Sequence, residues 1–371
     1  MTPSLATARR VVVKIGSALI VDEQTAAPRE AWLQGIAQDI AALSARGCQV
    51  IVVSSGAIAL ARRRLNLTAV KLKLEEKQAA AAVGQIRLAQ AWSEALSAHG
   101  LTAAQLLITL EDTEDRRRYL NARATLSTLL GLGCIPVINE NDSVATAEIR
   151  FGDNDRLAAR VAEMMQADQL ILLSDIDGLY TADPRNNPHA AHIPVVPAMT
   201  AEIDAMGGEP PPGYSSGGMR TKLVAARIAT QAGTAMAIAL GHRDNPLAAI
   251  EAGAKCTWFL PNPEGRSARK SWIAGHLAPL GILTIDAGAA KALMKGSSLL
   301  PAGIKAVAGS FERGDAVDVV TLEGDRVARG LAAYSSADTV VIAGHRSEDF
   351  EALLGFRGRD EVIHRDDLVL F

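Results

Sequence analysis

The feature that most constrains this chain is a set of short runs that are apolar almost from end to end. RVVVKI opens the series, and QVIVV, TAAQLLI, CIPVI, QLILL and TAMAIAL follow. A strand with one wet face alternates apolar and polar residues, whereas a run that is apolar throughout must be covered on both faces. Stretches that read as helices lie between the runs: KQAAAAVGQIRLAQAWSEALSAHG, RRRYLNARATLSTLLGLG, DNDRLAARVAEMMQAD and GGMRTKLVAARIATQAG. Several stop at glycines, namely Gly100, Gly131 with Gly133, and Gly233, which is how helices commonly end. The alternation predicts an α/β fold with a mostly parallel open sheet sandwiched by helices.

With 371 residues the chain is too long for one ordinary core. Its texture changes after about Leu260. NPEGRSARKS is polar and turn-rich, and beyond it come short runs broken by turns: GILTID, GIKAVAGSF and DAVDVVTLEGDRVARGLAAYS. EGD between VDVVTL and RVARGLAAY reads as a hairpin turn. The expected organisation is therefore a larger domain over residues 1–262, a linker over 263–280 and a small, mainly β domain over 281–371. GGEPPPGYSSGG reads as a loop. Aromatic residues make up only 4% of the chain, so Ala, Val, Leu and Ile must fill the cores.

Charge and cysteine content narrow the function classes. A formal net charge of −3 gives no overall basic field for nucleic acid or a membrane surface. Cys48, Cys134 and Cys256 are far apart and form no CxxC pair, which fits buried thiols in a reducing compartment. MTPSLATARRVVVKIG lacks a signal-peptide core, and no apolar run reaches the ~18–20 residues of a membrane span. A cytoplasmic protein is expected.

In open parallel sheets, ligands sit beyond the carboxyl ends of the strands. After the first run come Lys14, Gly16 and Ser17, and after the second come Ser54, Ser55, Gly56 and Ala57. After CIPVIN come Asn139, Glu140, Asn141 and Asp142, then Asp153, Asn154 and Asp155 just ahead of a helix. After QLILL come Ser174, Asp175, Asp177 and Gly178, and SSGGMRTK opens a later helix. Five polar clusters would meet at one edge.

Lys14 fits a cation aimed at phosphate, with Gly16 allowing close backbone approach. Taken alone it also fits an end-of-strand lysine reaching water. SSGGMRTK offers backbone N–H groups at a helix N-terminus, with Lys222 as a point charge, or else an ordinary glycine-containing cap. Ser54 or Ser55 could simply cap a helix, and so could Asp153 or Asp155. The functional reading of the acidic–amide cluster is an amino-acid site: Asp142 accepts from an ammonium, Asn139, Asn154 and a serine hold a carboxylate, and Asp153 holds lysines or a metal ion in register. No GxxxxGK[ST] and no GxGxxG after a strand occurs, and SGAI at the β-to-α turn is not GxSxG, which argues against P-loop, dinucleotide and hydrolase-elbow sites. His189 and His192 form an HxxH pair without further Cys or His ligands, a poor metal signature.

VVVKIGS, VVSSGAIA, AAVGQIRL, YLNARATL, PVINENDSVATAEIRFGDND, LLSDIDGLYTADPR and SSGGMRTKLVAA resemble, in order, segments of the bacterial glutamate 5-kinases, within the amino acid kinase family. The stretch from GSSLLPAGIKAVAGSFERGDAVDVV to VIHRDDLVL is similar to a PUA domain. The resemblance spans nearly the whole chain, and INEND with GDND is its most specific part. It implies ATP-dependent phosphorylation of the L-glutamate γ-carboxylate, with Mg²⁺ accompanying the nucleotide. This is the first step from glutamate to proline, with proline as feedback inhibitor.

Carried over by position, Lys14 and Lys222 stabilise the transferring phosphoryl group and Asp153 orients them. Ser55, Gly56, Asp142 and Asn154 hold glutamate, with Asn139 and Asp155 nearby. Ser174, Asp175, Ser216, Gly217, Gly218, Met219, Arg220, Thr221 and Lys222 border ATP. A homo-oligomer, dimer or tetramer, and hand-over of the product to a γ-glutamyl phosphate reductase are further implications. Ser54 and Ser174 stand where Thr is frequent, and Arg150 where Lys is frequent; Arg150 keeps the charge but changes the geometry.

Competing readings are another amino acid kinase, acting on acetylglutamate, aspartate, carbamate or a nucleotide, and an RNA-binding protein. Residues 266–371 carry 13 Lys+Arg against 14 Asp+Glu, so that region lacks the basic footprint RNA binding calls for.

Overall fold

The computed structural model describes residues 3–22, 24–67, 72–144, 154–208, 218–265 and 278–371. The chain divides into two compact units, Met1–Gly265 and Arg266–Phe371.

The strands of the first unit are β1 (Arg10–Ile15), β2 (Gln49–Ser54), β3 (Thr102–Ile108), β4 (Cys134–Glu140) and β5 (Gln169–Ser174), followed by β6 (Leu179–Tyr180), β7 (His192–Ile193), β8 (Val195–Val196), β9 (Ala235–Leu240) and β10 (Cys256–Phe259). Its helices are α1 (Ser17–Ile20), α2 (Glu30–Ala45), α3 (Ala57–Arg62), α4 (Leu74–Ser97) and α5 (Leu110–Glu114), then α6 (Arg116–Gly131), α7 (Asn154–Met164), α8 (Ala201–Ala205), α9 (Met219–Gln231) and α10 (Pro246–Glu251). Eight strands form one sheet in the order β3-β4-β2-β1-β5-β9-β10-β8. From β3 to β9 every pairing is parallel; β10 runs antiparallel to β9, and β8 runs parallel to β10 at the sheet edge. The chain leaves β1 for β2 on one side and later returns to β5 on the other. β1 and β5 therefore flank the point where the winding reverses, and a crevice opens at such a point beyond the strand ends.

The apolar runs are covered on both faces, as expected. Val11, Val13, Ile15, Val50, Val52, Ile171 and Leu173 pack on one face under Leu33 and Ile36 of α2, Leu88 and Trp92 of α4, and Leu247 of α10. Val12, Ile51, Val53, Leu170 and Leu172 pack on the other, against Leu126 of α6, Leu157 and Val161 of α7, and Leu223 and Ala226 of α9. Strand side chains alternate faces, so Lys14 shares the Val12 face, the one covered by α7 and α9. That parity fixes what Lys14 can meet.

The second unit is a mixed sheet of β11 (Gly281–Ile285), β12 (Ile304–Gly309), β13 (Ala316–Val320), β14 (Arg326–Leu331) and β15 (Leu368–Leu370), in the order β12-β11-β13-β14-β15. β13 and β14 form the hairpin expected around EGD, with Gly324 at φ +93° in its turn. Leu283, Phe311, Val317, Val319, Phe350 and Ile363 belong to a core of its own. Among the described residues no helix is long and apolar enough to cross a membrane.

Candidate active site

The centre of the site is a buried carboxylate that holds two ammonium groups. Asp155, in the first turn of α7, is fully buried. One of its oxygens lies 2.5 Å from Lys14 Nζ, and the other accepts from Lys222 Nζ at 3.0 Å. Lys14 comes from the end of β1 and Lys222 from the first turn of α9, so three elements meet on one group. Burial pushes the Asp155 carboxyl up, but the charges of Lys14 and Lys222, with hydrogen bonds from both, outweigh it and hold the carboxyl down at about 2. The arrangement gathers two ammonium groups at one point beyond the strand ends, held in place by the buried carboxylate.

Thr221 supports the carboxylate from α9: its hydroxyl donates to the Gly218 carbonyl at 2.8 Å and lies 3.3 Å from Asp155 Oδ2. Gly218 is the extended N-cap of α9, so the positive end of this helix adjoins Lys222. Gly16, next after β1, lies beside the Lys14 ammonium: a Cβ there would stand 4.0 Å from Lys14 Nζ, an ordinary contact distance.

An amide–hydroxyl chain lies next to the triad. Asn154 Nδ2 donates to Ser55 Oγ at 2.6 Å and to Asn139 Oδ1 at 3.0 Å. Asn139, at the end of β4, donates through Nδ2 to Gln85 Oε1 on α4 at 2.8 Å. Asn154 Oδ1 is buried and has no hydrogen-bond partner among the described residues. Ser55 follows β2, and its backbone N–H donates to the Ile15 carbonyl, tying the β2 turn to β1. Gly56 takes φ +120°, which turns the chain from β2 into α3 and which a side chain would strain. Ser54 does not cap a helix; its hydroxyl accepts from the buried Trp92 indole at 2.9 Å. Asp142 lies in the turn after β4. Desolvation raises its pKa, and the charge of Lys77 offsets this only in part.

The expected nucleotide border is brought together in part. Ser174 ends β5 beside β1, and its hydroxyl donates to Asp175 at 2.9 Å. Met219 is half-buried against the core face of α9. Arg220 lines an open hollow between α8 and α9 with Asp204, Leu223 and Arg227. Asp153, Ser216, Gly217 and Arg150 lie outside the described residues. The carboxylate found between the lysines is Asp155, which the sequence placed beside the substrate, while it suggested Asp153 for the bridging position. His192 packs edge-on against Tyr180. Sequence reasoning missed Gln85: it lies mid-helix in AAVGQIRL, away from the polar clusters that follow the strands, and only its hydrogen bond to Asn139 at the end of β4 reveals it.

A mostly parallel sheet that gathers two lysines on a buried carboxylate at its winding reversal is the frame expected of a phosphoryl-transfer protein. The amino acid kinase family model matches residues 9–239, and the chain belongs to that family. The PUA domain model matches residues 281–354. The chain is 64% identical over 368 residues to the glutamate 5-kinase of Gluconobacter oxydans (strain 621H), covering 99% of this chain and 97% of that protein. It is 63% identical over 370 residues to the glutamate 5-kinase of Paramagnetospirillum magneticum (strain ATCC 700264 / AMB-1), covering 100% of both. Among solved structures, the UMP kinase from Bacillus anthracis shares the fold, with a TM-score of 0.50 at 15% identity over 69% of this chain and 97% of that one.

Proposed function

We propose that this chain transfers the terminal phosphoryl group of ATP to the γ-carboxylate of L-glutamate, giving γ-glutamyl phosphate, the first step from glutamate toward proline. The observation that carries the reading is the Asp155 carboxylate holding Lys14 and Lys222 at the carboxyl edge of the sheet, one residue from the Asn154 amide. The relatives' names supply the substrate.

The nucleophile is the substrate's own carboxylate. With a pKa of about 4.3 it is ionised near neutrality, so no general base is needed. Catalysis then rests on in-line positioning and on neutralising charge that spreads over the phosphoryl oxygens. Lys14, Lys222 and the N-terminus of α9 supply that neutralisation from fixed positions, and Asp155 orients the two lysines, with Asp153 expected beside it. Ser55, Asn139, Asn154 and Asp142 hold the amino acid, and Ser174, Asp175 and the start of α9 border the nucleotide. Among the described residues no three Asp, Glu, His or Cys side chains converge on one metal position. Mg²⁺ would enter with the nucleotide, keeping phosphate oxygens as ligands and offsetting their charge. Feedback inhibition by proline, assembly into dimers or tetramers, hand-over to a reductase and a cytoplasmic location belong to the same reading.

The test is trapping of the acyl phosphate. Purified chain with ATP, Mg²⁺, glutamate and hydroxylamine should form γ-glutamyl hydroxamate, and Lys14→Ala or Lys222→Ala should lower the rate by at least about tenfold. Aspartate and acetylglutamate run in parallel. Signal from one of these and none from glutamate would keep the kinase class and replace the substrate.

A further inference from the structure

The hydrogen-bond chain Gln85–Asn139–Asn154–Ser55 has a direction. Both Asn154 Nδ2 hydrogens are used, one on Ser55 Oγ and one on Asn139 Oδ1. Asn139 must therefore face Asn154 with its oxygen and Gln85 with its nitrogen, and Gln85 closes the chain by presenting Oε1. Two groups are left over. The Ser55 hydroxyl, already accepting, keeps its hydrogen to donate, and Asn154 Oδ1 remains a buried acceptor without a partner among the described residues. If all three amides turned over, Asn154 would present its oxygen to Ser55, and the serine hydrogen would be spent inside the protein.

We propose that Gln85 is a positioning residue for the amino-acid site: its side-chain carbonyl fixes the amide orientations of Asn139 and Asn154, so that Ser55 donates to a ligand carboxylate and Asn154 Oδ1 accepts from a ligand N–H. This rests on the glutamate reading above. The fold delivers Gln85 to its place by an unusual approach. A Cβ on the preceding Gly84 would lie 1.7 Å from the Ala57 carbonyl oxygen. Only the bare backbone of Gly84 lets α4 sit this close to the start of α3 and reach the end of β4. Gln85 touches neither the triad nor the nucleotide border, so its effect is confined to the amino acid.

The experiment compares Gln85→Met and Gln85→Glu in the full chain by the hydroxamate assay. Methionine keeps the length and removes the acceptor; glutamate keeps the acceptor and cannot donate, which locks the observed direction. Position 85 is partly buried, so a thermal melt of each variant checks that the fold is kept. For Gln85→Met, glutamate KM should rise about tenfold with kcat and ATP KM within about twofold, and Gln85→Glu should stay within about threefold of wild type. Calorimetric titration of glutamate without turnover should give the same ratios. An unchanged glutamate KM in Gln85→Met, or equal damage from both variants, overturns the role of Gln85. A wild-type chain that makes no hydroxamate from glutamate overturns the glutamate reading, and this inference with it.

Discussion

At the scale of single residues, the charges around Asp155 decide the site's behaviour. The charges of Lys14 and Lys222 hold the Asp155 carboxyl at about 2, below the ordinary aspartate range. A depressed carboxyl pKa means stability that is fully present above the unfolded value and lost as pH falls through the folded one. Asp155 should therefore contribute to stability above about pH 4 and lose that contribution toward pH 2. Asp155→Asn takes the buried carboxylate away from the Lys14 and Lys222 ammonium groups, a loss of about 3 kcal/mol or more at neutral pH. A thermal melt should show Tm lower by on the order of 10 °C at pH 7, with the gap to wild type narrowing as the pH approaches 2. An equal gap at both pH values would mean that the ion pairs are not what the substitution removes. Asp142 behaves in the opposite sense, since burial raises its pKa. Glutamate KM should climb on acidification once Asp142 takes up its proton and no longer attracts the ammonium. Asp142→Asn should show a high KM at neutral pH and lose that limb, keeping only the substrate's own titration. An acid limb unchanged in Asp142→Asn would remove Asp142 from the site.

At the scale of elements, one glycine sets how α4 meets α3. Replacing a mid-helix glycine by alanine ordinarily stabilises by roughly 0.5–1 kcal/mol. At Gly84 the sign should invert, because the new methyl would meet the Ala57 carbonyl at 1.7 Å and α4 would have to withdraw. We expect Gly84→Ala to cost about 2 kcal/mol or more and to raise glutamate KM as Gln85 retreats from Asn139. A variant that melts at or above the wild-type temperature would mean that the two backbones are not in contact. This element also shows where sequence reading stops. The strands were legible because continuous apolar runs have one solution, burial on both faces, and Lys14 stood out as a charge in such a run. The antiparallel return of β10 was not legible, since Thr257, Trp258 and Phe259 carry no mark of direction. Val195–Val196, caught between Pro194 and Pro197, is too short to read as a strand. Asp153 and Asp155 are two residues apart ahead of one helix. Their spacing shows that a carboxylate is available; only the rotation of α7 shows that Asp155 meets the lysines.

At the scale of the whole molecule, the chain has two units with separate cores. The described site residues, from Lys14 to Lys222, lie in the Met1–Gly265 unit. Phe350 is almost fully buried in the second core, with its ring 6.2 Å from that of Tyr334 in an edge-on arrangement. Phe350→Ala should remove about 3–5 kcal/mol of local stability through lost burial and a residual cavity. For a unit of this size that is a large share of the total, so proteases should cleave within residues 266–371 at temperatures where the wild type resists. Hydroxamate formation at 25 °C should stay within about twofold of wild type, because no group that binds or neutralises the reactants has moved. The two readouts separate alternatives that sequence similarity leaves joined. Increased cleavage with intact turnover assigns the second unit a task other than chemistry. A parallel loss of turnover would mean that folding of residues 266–371 is needed to complete the site, and the search for its missing contribution would then move to that unit.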